Sequence, residues 1–501
     1  MTPPAEPAAP DEKAEVAVPG AIRKRLSNIT TRDPSSWVWT AVVALIAAAI
    51  RLIGLTSPKG KIFDELYYAT DAHNLLIHGV EWDDKNNTAG FVVHPPLGKW
   101  AIALGEKIFG YNELGWRISS VVAGVAAVVI VTRLGRRLFG STALGCAAGL
   151  LMALDGFQFV LSRTALLDIF LLTFVIASFA CLIADRDWRQ RRWLEALEAG
   201  LRRPVFSMPW WRLGSAVLIG CALAVKWSAL WYLLGFLVML FVWELRIQRG
   251  AGQKHPVAEG FLYWVRWAFA YGFTAVVVYV MSWTGWLAGD SGYNRHWLRV
   301  NGRSEWPILG ALYNLARYHY DALNFHVGLS SSHPYESSPI QWLLLSRPVA
   351  FHYSSPGGCG ADQCSSEVLL LGTPLLWWSF IPAMLALVWF GISRRDWRAW
   401  PILTGALLGI FPWFVFNDRT MFYFYAAPAE PFLILTVVYV FGAIIGSGAV
   451  NSRRRTIGSI ALGMYVTAVA ACFVYFYPIY TGKLITFAAW TARIWLGKQW
   501  T

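Results

Sequence analysis

Hydrophobic and polar positions in this chain come in blocks rather than in alternation. Eleven apolar blocks fall at 37–55, 116–132, 142–154, 166–184, 213–228, 230–245, 267–287, 375–392, 400–416, 420–445 and 456–477. A helix needs about 20 apolar residues to cross ~30 Å of hydrocarbon. Blocks near that length, apolar on all sides, predict spanning helices and not the one-sided helices of a soluble core. The predicted fold is an all-α polytopic membrane protein. Between the blocks lie short polar connections and two long ones, 56–115 and 288–372.

Composition agrees with the blocks. Of 501 residues, 56% are hydrophobic and only 15% charged, against about 25% charged in a soluble domain. The net charge of +13 does not point to nucleic acid, because the basic residues are grouped in short connections. The groups are Arg23, Lys24 and Arg25; Arg133, Arg136 and Arg137; 186–203; Arg246, Arg249 and Lys254; Arg394, Arg395 and Arg398; and Arg453, Arg454 and Arg455. Positive connections stay on the cytoplasmic side. With a cytoplasmic N-terminus all six groups fall inside, and 56–115, 288–372 and the tail from 478 fall outside. The positive excess is then topology and contact with anionic lipid.

Residues 1–36 carry no cleavable signal and are expected to be a disordered cytoplasmic tail, with 37–55 as a signal anchor. Residues 37–477 form the expected membrane domain. The tail 478–501 combines Lys483, Arg493 and Lys498 with Trp490, Trp495 and Trp500, which predicts a helix on the membrane surface. The 288–372 loop has amphipathic spacing and predicts partly interfacial helices. Cys146, Cys181, Cys221 and Cys472 sit in apolar blocks as small buried residues. Cys359 and Cys364 share a polar outer segment and are read as a local disulfide, with two free thiols as the alternative.

The chemistry-bearing residues gather in the outer segments. Asp64 and Glu65 stand directly beyond the first apolar block. A carboxylate there is either a solvated juxtamembrane charge or a general base facing a membrane-embedded donor. His94-Pro95-Pro96-Leu97-Gly98-Lys99 follows, its proline pair fixing the backbone ahead of a short helix. Arg117 opens the second block, and Lys226 lies in an apolar stretch. A cation at such depth costs about 2.5–3.5 kcal/mol unless it is paired or reaches the interface, and a lipid phosphate would pair with it. Arg163 and Asp168 bracket another outer junction and could pair with each other.

The ordered set Phe63-Asp64-Glu65 with Tyr67-Tyr68, His94 to Lys99, Ser162-Arg163 with Leu166-Leu167-Asp168, and Val225-Lys226-Trp227 resembles the protein O-mannosyltransferases. So do Ser332-His333-Pro334-Tyr335-Glu336-Ser337-Ser338-Pro339, Leu371-Gly372-Thr373-Pro374 and Arg419 to Tyr425. The resemblance implies a GT-C fold and an inverting transfer of mannose from a polyprenyl phosphate to Ser or Thr hydroxyls of unfolded secreted proteins. It implies catalytic roles for Asp64 and Glu65 and donor-phosphate binding by Arg117 and Lys226. His94, Lys99, Arg163, Asp168, His333, Tyr335 and Arg419 would bind or position substrate. It implies a bacterial cell-membrane enzyme needing no cofactor and no metal, although Asp64, Glu65 and Asp168 could converge as ligands. Coupling to the secretion translocon stays open. The chain departs from the family at Val92, where an acidic residue is common, and it lacks a MIR domain. Glu430, between Pro428 and Pro431, has no family role, and a water-lined or interfacial setting is open to it. Another GT-C transferase acting on a lipid or glycan acceptor is the alternative. A transporter is disfavoured, because the acidic residues do not face one another at mid-membrane depth and no internal repeat is evident.

Overall fold

In the computed structural model, residues 20–26, 33–416, 418–446 and 452–501 are described. Each of the eleven apolar blocks falls on helix. Among the described residues eight helical segments are long and apolar enough to span a bilayer, and Ser36–Leu52, Thr142–Ala153 and Trp210–Leu223 are shorter apolar helices. Asp168–Glu198 is the central member, with 72% of its apolar stretch buried, whereas Pro256–Met281 is peripheral at 11%. The buried core runs from Val43 through Phe159, Leu172 and Phe432 to Phe476.

Local signals set the helix ends. Asn112 caps Glu113–Phe139 by accepting from the Leu114 and Gly115 amides, which satisfies two of the orphan donors of the first turn. A Cβ on Gly115 would lie 1.9 Å from the Gly110 carbonyl oxygen, and one on Gly105 2.3 Å from that of Gly115. Glycine is therefore required where helix Leu97–Phe109, the helix of the His94–Lys99 motif, crosses its successor. The ninth and tenth blocks are broken. Ala399–Leu408 passes into a 3-10 segment, Phe411–Phe416, and a second one, Tyr423–Ala429, precedes Glu430–Ile445. Pro412, Pro428 and Pro431 explain the interruption. Irregular backbone at membrane depth is tolerated where protein buries it or it lines a cavity.

Three expectations change. Residues 1–19 and 27–32 of the N-terminal tail lie outside the described residues, but Gly20–Leu26 is helical and Leu26 packs with Trp193 and Ile247. The tail from 478 is not a surface helix. Its Ile485–Thr486 strand joins a three-stranded sheet, Trp490 donates to Glu367, and Trp500 is fully buried with Nε1 donating to the Leu345 carbonyl. The sheet was not anticipated at all. With the two-residue strands β1 (Trp82–Asp83) and β2 (Thr88–Ala89) counted first, it comprises β3 (Val349–Ser354), β4 (Cys364–Leu370) and β5 (Ile485–Thr486), antiparallel in the order β3-β4-β5. Elsewhere in the 288–372 loop the helices are Trp297–Val300, Leu309–Gly328 and Pro339–Leu344, joined by irregular segments.

Candidate active site

Asp64 ends a tight turn and precedes helix Glu65–His78. Phe63 adopts φ 47°, a left-handed conformation unfavourable for a bulky residue. Its ring is held by Phe351, stacked at 4.6 Å, and by Phe424 at 5.9 Å. A strained residue fixed by packing directly before a carboxylate is the kind of arrangement found at functional sites.

The two carboxylates diverge. Glu65 is fully buried and accepts from Arg117 Nε and Nη2, both at 2.8 Å, and from the Ile62 and Ala165 amides at 3.0 Å. The remaining donors of Arg117 go to the carbonyls of Leu55, Pro58 and Gly60. A guanidinium offers five N–H groups, and here every one is engaged. Glu65 and Arg117 therefore brace the 55–65 turn against the second span. In this structure Arg117, expected to hold the donor phosphate, has no donor left over for one, and Glu65, expected to help position acceptor or donor, is turned to Arg117.

Asp64 keeps part of its surface open. Burial of the surrounding turn pushes its carboxyl up to about 6; Lys226 opposes the rise and Asp168 adds to it. These two neighbours mark the polar end of a cavity of about 270 Å³. Lys226 Nζ donates to Asp168 Oδ2 at 2.7 Å, so Asp168 pairs with Lys226 and not with Arg163. Arg419 Nη2 donates to His326 Nδ1 and Tyr425 Oη at 3.4 Å, while its buried Nε has no partner among the described residues. His326 Nε2 donates to the Val93 carbonyl. Burial lowers His326 to about 4, with Arg419 and Lys226 pushing the same way. His94, whose ring lies 5.3 Å from His326, is held well below its usual value by burial and by Lys226, and its Nδ1 is unpartnered. Both imidazoles are thus neutral beside two cations. The opposite flank of the cavity is apolar, with Leu230, Trp231, Leu323, Val327 and Phe416, and Leu230, Leu323 and Val327 are exposed on the outer surface of the bundle.

Other expected residues lie elsewhere. Arg163 donates to the carbonyls of Arg51, Ile53 and Gly54 and so closes the C-terminal end of helix Ser36–Leu52. Lys99 is buried between Glu81 and Asp71. His333 packs on Phe422 at 5.0 Å and Tyr335 lies under the Arg347 guanidinium, outside the cavity lining. Glu430 is fully buried at the head of its helix, beside Asp155. Cys359 and Cys364 are joined as a disulfide, Cα to Cα 5.8 Å. His326 and Trp231 were missed: one histidine near the end of an amphipathic helix and one tryptophan in an apolar block carry no local signal. Among the described residues no three His, Cys, Asp or Glu side chains converge as a metal-binding group.

The arrangement offers a cavity with two cations and an apolar flank, and Asp64, largely buried and outside the lining itself, sits within electrostatic reach of its Lys226–Asp168 end. Residues 41–288 match the family model described as dolichyl-phosphate-mannose-protein mannosyltransferase, and residues 311–500 match the C-terminal four-span region of protein O-mannosyltransferase. The chain is 40% identical over 479 residues to a polyprenol-phosphate-mannose–protein mannosyltransferase of Mycolicibacterium smegmatis (strain ATCC 700084 / mc(2)155), with 92% of each chain covered. It is 39% identical over 482 residues to that of Mycobacterium tuberculosis (strain ATCC 25618 / H37Rv), covering 92% of this chain and 91% of the relative. In fold it is similar to the Saccharomyces cerevisiae Pmt1–Pmt2 complex bound to the sugar donor, with TM-score 0.72, 15% identity, and 95% and 94% of the two chains covered. It is similar also to ArnT of Cupriavidus metallidurans bound to undecaprenyl phosphate, with TM-score 0.51, 16% identity, and 93% and 74% covered.

Proposed function

The chain belongs to the protein O-mannosyltransferase family, and from that membership we propose how its own residues carry the reaction. It is a multi-pass membrane enzyme that transfers mannose from polyprenol-phosphate mannose to protein. Asp64 takes the proton of a Ser or Thr hydroxyl as that oxygen attacks the anomeric carbon. The bond to the phosphate breaks on the opposite face, so the configuration inverts. The leaving phosphate is already an anion and needs charge stabilisation more than a proton. Arg419, with an unpartnered Nε, and Lys226 supply it. The first prenyl units lie over Leu230, Leu323 and Val327. No cofactor and no metal are required on this reading.

The observation that carries the proposal is the position of Asp64 beside the Lys226–Asp168 end of a cavity whose other flank is apolar. A base near 6 is ionised for the most part at neutral pH and is still basic enough to assist a hydroxyl. Mannose transfer from labelled polyprenyl-phosphate mannose to a Ser/Thr-rich peptide tests it. Asp64→Asn should lose 10²-fold or more while folding normally, and near-normal transfer would remove Asp64 from the role. We place catalysis on the extracytoplasmic face because the basic groups gather at the opposite end. Single cysteines at Asn87 and Ser331 should react with an impermeant reagent on intact cells, and one at Arg454 only after permeabilisation. The reverse pattern would move catalysis to the other side.

A further inference from the structure

The β3-β4-β5 sheet buries one strand and leaves another bare. Every residue of β4 is buried, and β4 pairs on both sides. β3 pairs only with β4, at Val349 with Leu370, Ala350 with Leu369 and His352 to Ser354 with Val368 to Ser366. No backbone group of β3 bonds any other element among the described residues. Its last three residues are open or half-open, Tyr353 being 47% exposed. An edge strand with a free row of N–H and C=O groups is a template for another strand, and proteins normally cover or charge such edges. Here there is no lysine and no proline within β3, only a register shift between Ala350 and His352.

The place of this edge gives it meaning. The Phe351 ring is stacked on Phe63, the residue bonded to Asp64. The strand thus crosses over the turn that presents the base. Behind it, Cys359 and Cys364 close the β3–β4 connection and β5 ties β4 to the tail, so the edge is held in place. We propose that β3 is the acceptor-binding edge: an extended Ser/Thr-containing polypeptide adds to it as a further strand and delivers its hydroxyls to Asp64. An added strand lies about 4.8 Å away and turns alternate side chains to one face. Recognition then rests on the acceptor backbone and is tolerant of sequence. It selects extended chain over folded protein. This proposal rests on the mannosyl-transfer reading above.

The test uses the full-length enzyme and a Ser-containing peptide that it mannosylates, N-methylated at one backbone position at a time. In a strand, the N–H groups of successive residues point to opposite sides. Methylation should raise the peptide KM about three- to tenfold, the worth of one hydrogen bond, at every second residue, and leave the residues between nearly unchanged. Equal effects at all positions, or none, overturn the edge. A photo-crosslinking residue in place of Tyr353 should capture the peptide, while one in place of Phe206, at the opposite end of the bundle, should not. Capture at both or at neither also overturns it. Failure of the reaction itself would show differently, as no transfer to the unmethylated parent peptide.

Discussion

The Glu65–Arg117 brace and the cavity in front of Asp64 are built from the same residue types, a carboxylate and cations, one residue apart in the chain. In the brace every charge is answered: two ion-pair contacts, two amides and three carbonyls close the set. In the cavity the set is left incomplete. Arg419 Nε and His94 Nδ1 have no partner among the described residues, and Lys226, the cation that acts on Asp64, is paired with Asp168. A complete set contributes a fixed backbone, and an incomplete one contributes a place for a substrate. Burial alone does not separate them, since Lys226 at 7% exposure and Arg117 at 1% are both buried.

The sharpest way to break the comparison is to remove a charge from each side. Arg117→Ala leaves Glu65 as an uncompensated buried carboxylate, and losing one partner of a buried pair costs about 3–5 kcal/mol. We expect a large fall in thermal stability in detergent and little folded enzyme. Asp64→Asn should melt close to the parent while losing the reaction. If Arg117→Ala instead melted normally and lost only donor affinity, Arg117 would belong to the cavity after all.

Arg419 is the next largest. Contacts between a charged donor and a phosphate are worth about 1.5–3 kcal/mol, so Arg419→Gln should raise the donor KM by roughly 10- to 100-fold. The acceptor KM should stay within about twofold. A donor KM equal to that of the parent would place the phosphate away from Arg419.

The comparison also explains what could be read from the chain. Apolar blocks marked eleven helical segments, eight of them long enough to cross a bilayer among the described residues, because crossing imposes a length that composition records. The motif residues were legible as a group, since His94, Lys226 and Arg419 line one cavity and Asp64 is coupled to Lys226. Which cations the fold leaves free was not. Whether a cation is free depends on which carbonyls the fold brings to it, and Arg117 and Arg163 meet carbonyls of the 50–60 segment that no local pattern announces. β3 and β4 were hidden for a related reason. Strand pairing couples the 349–354 and 364–370 segments to each other and to 485–486, and the last partner is more than a hundred residues away. His326 reached the site on a helix whose spacing signalled only an interface.

The smallest expected effect concerns the pH at which the base switches on. Asp64 works ionised, so protonation removes it. With its carboxyl near 6, kcat/KM should fall about tenfold per pH unit below that value and level off above it. Asp168 raises the value and Lys226 lowers it. Asp168→Asn removes the negative neighbour but leaves the cation, so the acid limb should move to lower pH, by roughly one unit or less for a single charge at effective dielectric about 20. Lys226→Met removes the cation that lowers it and should move it up. Glu65→Gln changes a carboxylate whose charge Arg117 already balances. Whatever it does to stability, the limb of the enzyme that remains folded should stay within a few tenths of a unit of the parent. A pH–rate series on the three variants decides this. An unmoved limb in Asp168→Asn would mean that Asp64 does not sense the cavity charges, and a limb that moved most in Glu65→Gln would place the brace inside the active site.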